Sequence, residues 1–195
     1  MPLPSFNEDG LLPDGTYNLT IAELTSSYLV TGEGVGDPLW DALWRRKLVD
    51  NLAILVRQLR TVSIPRVYIG GSFVEAKSHP NDIDGWFDCD VELLRTRALE
   101  RRLNDIDPCW TWDPAARRRY RGYPKAQLPM WYRYRVELYP DYGQSSGIAD
   151  ADGNELGFPA AFRRSRTDAP RGIVVIEATD DSNRGGVPRG TAPHL

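Results

Sequence analysis

Between Tyr68 and Gly85 the chain reads Tyr-Ile-Gly-Gly-Ser-Phe-Val-Glu-Ala-Lys-Ser-His-Pro-Asn-Asp-Ile-Asp-Gly, and these are residue types that phosphate chemistry uses. Gly70 and Gly71 let the backbone come close to a ligand. Their N–H groups, with those of a following helical stretch, favour a phosphate. Ser72 adds a hydroxyl donor, and Lys77 a compact positive charge. Asp82 and Asp84 stand two apart, so on an extended strand they project from one face while Ile83 turns to the core. Two carboxylates so placed can share a pair of Mg2+ (or Mn2+) ions about 3.5–4 Å apart, the arrangement of two-metal phosphoryl transfer. A Gly-Gly-Ser turn alone is commonplace, and an acid pair can simply end a loop. Their combination in one strand–turn–strand context carries the reading.

The charge pattern points to a second kind of contact. Of 24 basic residues only Lys47, Lys77 and Lys125 are lysines; the rest are arginines, a bias that a GC-rich coding genome alone would produce. The net charge of -3 hides a segregation. Residues 1–40 hold Glu8, Asp9, Asp14, Glu23, Glu33 and Asp37 without a single cation. Residues 114–136 hold Arg117, Arg118, Arg119, Arg121, Lys125, Arg133 and Arg135 without an acid, interleaved with Tyr120, Tyr123, Trp131, Tyr132 and Tyr134. Cations supply phosphate contacts and aromatics supply stacking surfaces, so this stripe is expected to bind RNA, above all single-stranded or end-exposed RNA.

The elements that must position these groups follow from periodicity and breakers. With 195 residues, 41% hydrophobic and 26% charged, the chain has the make-up of an ordinary globular domain. It has no apolar run long enough to span a bilayer, no signal-peptide pattern, and two cysteines, Cys89 and Cys109, without metal-ligand spacing. A cytoplasmic protein with no membrane partner is expected. An extended lead-in with a short helix (1–37, opened by a capping box at Thr20–Glu23) precedes the main domain (38–179), and a flexible tail follows (180–195). Leu39, Leu43, Trp44, Leu48, Leu52, Leu55, Val56 and Leu59 recur at helical spacing and predict a helix over about 38–60. Strands are predicted at 66–69, 83–87, 134–139, 158–163 and 172–178, and a helix at 91–104. The order gives an α/β (α+β) domain, a mixed sheet flanked by helices.

Gly71-Ser72, nine residues, then Asp82-Ile83-Asp84 resembles the signature of the polymerase-β-like nucleotidyltransferase superfamily. The resemblance implies a minimal nucleotidyltransferase fold in which the Gly-Ser turn (Gly70, Gly71, Ser72) holds a triphosphate and Asp82 and Asp84 hold metal. It also implies a third carboxylate on a later strand. Glu137 in Arg135-Val136-Glu137-Leu138 is the best match, with Asp141 as the alternative. Arg133, Arg135 and Glu137 would then share one face of the strand, opposite Tyr134, Val136 and Leu138. Asp168-x-x-Arg171-Gly172 resembles a C-terminal motif of small uncharacterised bacterial proteins with the same elements, which would bring Arg171, like Lys77, to the nucleotide. Size and minimal architecture are similar to the MenT-type toxins of bacterial toxin–antitoxin pairs. That similarity implies a Mg2+-dependent enzyme moving NMP from an NTP to the 3′ end of tRNA or another RNA, blocking translation, with a cognate antitoxin as partner. The resemblance covers about 66–88 and 131–140, and 157–178 more weakly. Two alternatives keep the site but change the role: a protein-modifying (AMPylating) enzyme or antitoxin, or an inactive RNA- or partner-binding domain. Glu75-Ala76-Lys77 departs from the Arg and Gly that AMPylating antitoxins carry after Gly-Ser.

Overall fold

Residues 3–122, 125–150 and 152–177 are described by a computed structural model. In chain order they form β1 (Thr16–Leu19), α1 (Ile21–Ser26), α2 (Tyr28–Thr31), α3 (Ala42–Thr61), β2 (Arg66–Gly70), a 3-10 turn (Gly71–Val74), β3 (Ile83–Asp88), α4 (Val91–Arg95) and α5 (Ala98–Asn104). A second 3-10 turn (Pro114–Ala116) precedes α6 (Pro129–Tyr134), β4 (Val136–Asp141), β5 (Ser145–Ala149), β6 (Glu155–Gly157), α7 (Phe158–Phe162) and β7 (Ile173–Glu177). Five strands make one mixed sheet in the order β1-β7-β2-β3-β4, parallel at its two outer pairs and antiparallel within; β5 and β6 form a separate hairpin. This is the α+β architecture expected. None of the described helices is long and apolar enough to cross a membrane.

Alternation decides the two faces of the sheet. Val67, Ile69, Ile83, Phe87, Val136, Leu138, Val174 and Ile176 turn to one side and bury against Leu48, Leu52, Leu55 and Leu59 of α3. Each such aliphatic side chain contributes roughly 1.5–3 kcal/mol on leaving water. The other face carries a smaller cluster, Trp86, Ile173 and Val175 with Tyr68, Tyr139, Phe158 and Phe162. Asp84 and Glu137 share this second face, so the acids sit beside an aromatic patch rather than in the main core.

Several expectations need correction. The lead-in is built into the domain: β1 lies parallel to β7, Leu11 and Leu12 are buried, and α1 and α2 pack on α3. Its capping box forms as expected, with Thr20 Oγ1 accepting from the Glu23 N–H and Glu23 accepting from the Thr20 N–H. α3 begins only at Ala42, capped by Asp41, which leaves Leu39 (77% exposed) and Leu43 (83% exposed) outside the buried stripe. The single helix over 91–104 is two, broken where Arg97 adopts a left-handed conformation. Residues 158–162 are helical rather than extended, with Pro159 in the first turn, a place where a missing N–H costs no hydrogen bond. The same device acts at Pro129: residues 129–134 wind into α6, and Arg135 closes it at φ 54°. Arg133 and Arg135 therefore do not share a strand face with Glu137. The tail from residue 180 lies outside the described residues.

Candidate active site

β2 delivers the chain to Gly70 and a four-residue 3-10 turn, Gly71–Val74. Gly71 has φ +66°, and a Cβ there would lie 2.9 Å from Oδ2 of Asp84. Only glycine meets both conditions without strain. The close approach that the glycines were expected to allow is thus, in the first instance, to the Asp84 carboxylate. Gly70 is closed off on its other side by Phe162, 3.0 Å from where a Cβ would be.

Three acids converge. Asp84 pairs in register with Gly70 on β2 and with Glu137 on β4, and parallel neighbours in register face the same way. Asp82 precedes it by two on the same side; Ile83, between them, is fully buried. Asp141 is excluded as the third member: it pairs with Asp88, four residues further along and so about 13 Å away. Burial, reinforced by the charges of Asp82 and Glu137, pushes Asp84 up to about 8, while Arg171 and Lys125 pull the other way. Asp82 is also raised, by burial, against the Trp131 hydrogen bond and the attraction of Lys77 and Arg135.

The three acids differ in what already holds them. Asp82 accepts through Oδ2 alone, from Nε1 of Trp131 at 2.7 Å. Among the described residues no donor hydrogen-bonds the Asp84 carboxylate. Glu137 is engaged at both oxygens: Oε1 takes the Leu128 N–H at 2.8 Å, Oε2 takes the Tyr139 hydroxyl, and Arg117 lies 3.7 Å from Oε1. Hard carboxylate oxygens with open acceptor positions fit Mg2+, which binds one or two carboxylates and keeps its remaining positions for water and phosphate. Asp82 and Asp84 meet that description. Among the described residues no three His, Cys, Asp or Glu side chains are arranged about one ion position.

The cations sort into fixed and exposed. Arg171 is nearly buried and committed to Glu75 and the Phe162 carbonyl. Arg117 donates to the Ala126 carbonyl and the Tyr139 hydroxyl. Arg133 pairs with the buried Asp107 at 2.7 Å. Arg135 stacks on Trp131 at 3.7 Å and on Tyr120 at 4.5 Å. Arg118, Arg119, Arg121 and Lys125 are exposed, as is Lys77. Of the aromatics in the stripe, Trp131 and Tyr134 are buried, whereas Tyr120 and Tyr132 reach the surface. Tyr123 falls outside the described residues.

Arg45 has no counterpart among the expected site residues. It is fully buried, and no described carboxylate pairs with it. Its guanidinium donates to the carbonyls of Leu29 (2.6 Å), Phe73 (2.9 Å), Glu75 (3.1 Å) and Lys77 (2.6 Å) and lies 3.8 Å from the Trp40 ring centre. Burial pulls its pKa down to about 9, which still leaves it charged at neutral pH. It fixes the segment that leaves the Gly-Ser turn. One signal did exist: Arg45 sits three and seven residues before Leu48 and Leu52, squarely on the apolar stripe of α3.

Compared with known proteins, residues 4–177 match a family model described as Family of unknown function (DUF6932), and the chain belongs to that family. No curated protein and no solved structure gives a match.

Proposed function

We propose that this member of the family is a divalent-metal-dependent nucleotidyltransferase that moves NMP from an NTP to an RNA acceptor, with pyrophosphate as the second product. The observation that carries the reading is Asp84: a carboxylate with no described hydrogen-bond donor, backed by Gly71 of the Gly-Ser turn and flanked by Asp82. Asp82 and Asp84 would hold Mg2+, which when bound neutralises triphosphate charge and makes an acceptor hydroxyl more acidic. Ser72 and the backbone at Gly71 lie at the start of the turn, where they would bind phosphate oxygens. Lys77 adds a point charge on the same side, attracted to Asp82. Trp131 holds Asp82 in orientation through Oδ2, leaving Oδ1 for the ion. Arg118, Arg119, Arg121 and Lys125 would grip the acceptor backbone, with Tyr120 and Tyr132 as stacking edges. The acceptor that fits a small enzyme with one basic loop is an RNA end, and the 3′ end of tRNA, blocked in the manner of a toxin and restrained by an antitoxin, is the specific form proposed.

The test incubates purified protein with Mg2+, each labelled NTP in turn and total tRNA. Label in RNA, lost in Asp84→Asn, is the expected result. Label on a polypeptide instead would reassign the site to protein modification. No label anywhere, or equal label with Asp84→Asn, would overturn the proposal.

A further inference from the structure

We infer that Glu137 is a positioning residue that latches the basic loop, and not a third ligand to a metal; the inference rests on reading Asp82 and Asp84 as the ion site. The loop from Arg117 to Leu128 is closed by a two-way backbone pair, Arg118 N–H to the Gln127 carbonyl at 2.9 Å and Gln127 N–H to the Arg118 carbonyl at 2.8 Å. Glu137 lies beneath that closure, 4% exposed, and grips both ends. Oε1 takes the N–H of Leu128 at one end. At the other, Arg117 sits 3.7 Å away, donates to the Ala126 carbonyl at 2.9 Å and donates to the Tyr139 hydroxyl at 2.9 Å. That hydroxyl in turn donates to Oε2. One carboxylate thereby joins three groups, the Leu128 N–H, the Tyr139 hydroxyl and the Arg117 guanidinium, from β4 and both arms of the loop.

Turning Glu137 toward an ion beside Asp84 would strip the buried Leu128 N–H and the Tyr139 hydroxyl of their acceptor, and buried donors without acceptors are costly. The charge balance points the same way. Glu137 has a cation, Arg117, within 3.7 Å, whereas Asp84 has no ion pair among the described residues and is pressed by Asp82 and Glu137 against the weaker pull of Arg171 and Lys125. What the latch accomplishes is placement: Arg118, Arg119, Arg121 and Lys125 lie between the fastened ends, and Lys125 comes near enough to attract Asp84. The basic loop and the acids are held in a fixed relation, as an enzyme joining an RNA end to a metal-bound nucleotide requires.

The experiment has two readouts on the full chain. Free Mn2+ is titrated by electron paramagnetic resonance against wild type, Asp84→Asn and Glu137→Gln. Tryptic cleavage after residues 118–125 is timed by mass spectrometry in wild type, Glu137→Ala and Arg117→Ala. The inference expects Asp84→Asn to lose at least about tenfold in Mn2+ affinity and Glu137→Gln to bind as wild type does. It expects both latch variants to be cut at least about tenfold faster, since cleavage follows the population of the open loop. Arg117→Ala leaves Glu137 in place, so the result does not depend on one variant folding. Equal losses of Mn2+ affinity in Asp84→Asn and Glu137→Gln, or an unchanged cleavage rate in both latch variants, would overturn it. If wild type binds no Mn2+ the ion site itself fails, while the cleavage rates still decide the latch.

Discussion

Two connectors flank the paired acids, and they are fastened by opposite charges. The segment from Phe73 to Pro80, between the Gly-Ser turn and Asp82, is held by a buried cation that collects carbonyls: Arg45 binds those of Phe73, Glu75 and Lys77. The start of α3 adds further ties, with Trp44 donating to the Pro80 carbonyl at 2.6 Å and Asp41 meeting His79 at 2.9 Å. The lead-in closes it from the far side, where the Ala76 N–H donates to the Gly10 carbonyl at 2.7 Å. The loop from Arg117 to Leu128 is held by a buried anion that collects donors. A guanidinium offers five N–H groups and can fasten a length of backbone by itself; a carboxylate accepts at two oxygens and fastens two ends. The first connector is fixed by its carbonyls; the second is fastened at its base and again at Tyr120, which packs on Trp131 and under Arg135, while Arg118, Arg119, Arg121 and Lys125 stay at the surface.

The comparison can be broken most severely at Arg45. Arg45→Met strands buried carbonyls at about 1–3 kcal/mol each and should give the largest loss of stability; urea unfolding would measure it. Gly71→Ala should cost about 1–2 kcal/mol through its left-handed backbone, and because its Cβ would press on Asp84 it should also weaken Mn2+ binding in a titration. Asp41 is held below the usual carboxylate range by the Trp44 N–H and by His79. A depressed folded-state pKa contributes stability above the unfolded value and loses it as pH falls. The difference in urea midpoint between wild type and Asp41→Ala should accordingly be present at neutral pH and shrink below about pH 4. Smallest in stability is the triple variant Arg119→Ala, Arg121→Ala, Lys125→Ala, expected to lie within about 0.5 kcal/mol of wild type. It should still weaken tRNA binding and flatten the salt dependence by up to about 2 in log–log slope.

What could be read in the sequence was what depends on near neighbours. The Gly70–Asp84 stretch is a local strand–turn–strand unit, so its spacing brought Gly71 of the turn against Asp84, with Asp82 two residues before it. Alternation along 136–139 picked out Glu137 as their neighbour. Arg133 and Arg135 were misplaced because Tyr134, Val136 and Leu138 are all buried although the first belongs to a helix and the others to a strand; the period-two pattern hid the turn that Pro129 starts. Phe158–Phe162 was misread for the related reason that a short apolar run fits either element. Leu43 and Arg45 exchange the roles their polarity suggests. The carbonyls that Arg45 serves lie 16 to 32 residues away in sequence, and no local pattern reports them. One acid of the lead-in takes part in a contact of the same long range, Asp37 accepting from the Ser78 hydroxyl in the first connector.

We propose that Asp82 and Asp84 hold a divalent ion for a nucleotide at the Gly-Ser turn. The most direct measurement is calorimetric titration of each NTP into the intact protein with Mg2+ and again with EDTA, for wild type and Asp84→Asn. Saturable binding of at least one NTP that requires Mg2+ and disappears in Asp84→Asn is the expected result. Binding of equal strength in EDTA or in Asp84→Asn, or none by wild type with any NTP, would contradict it.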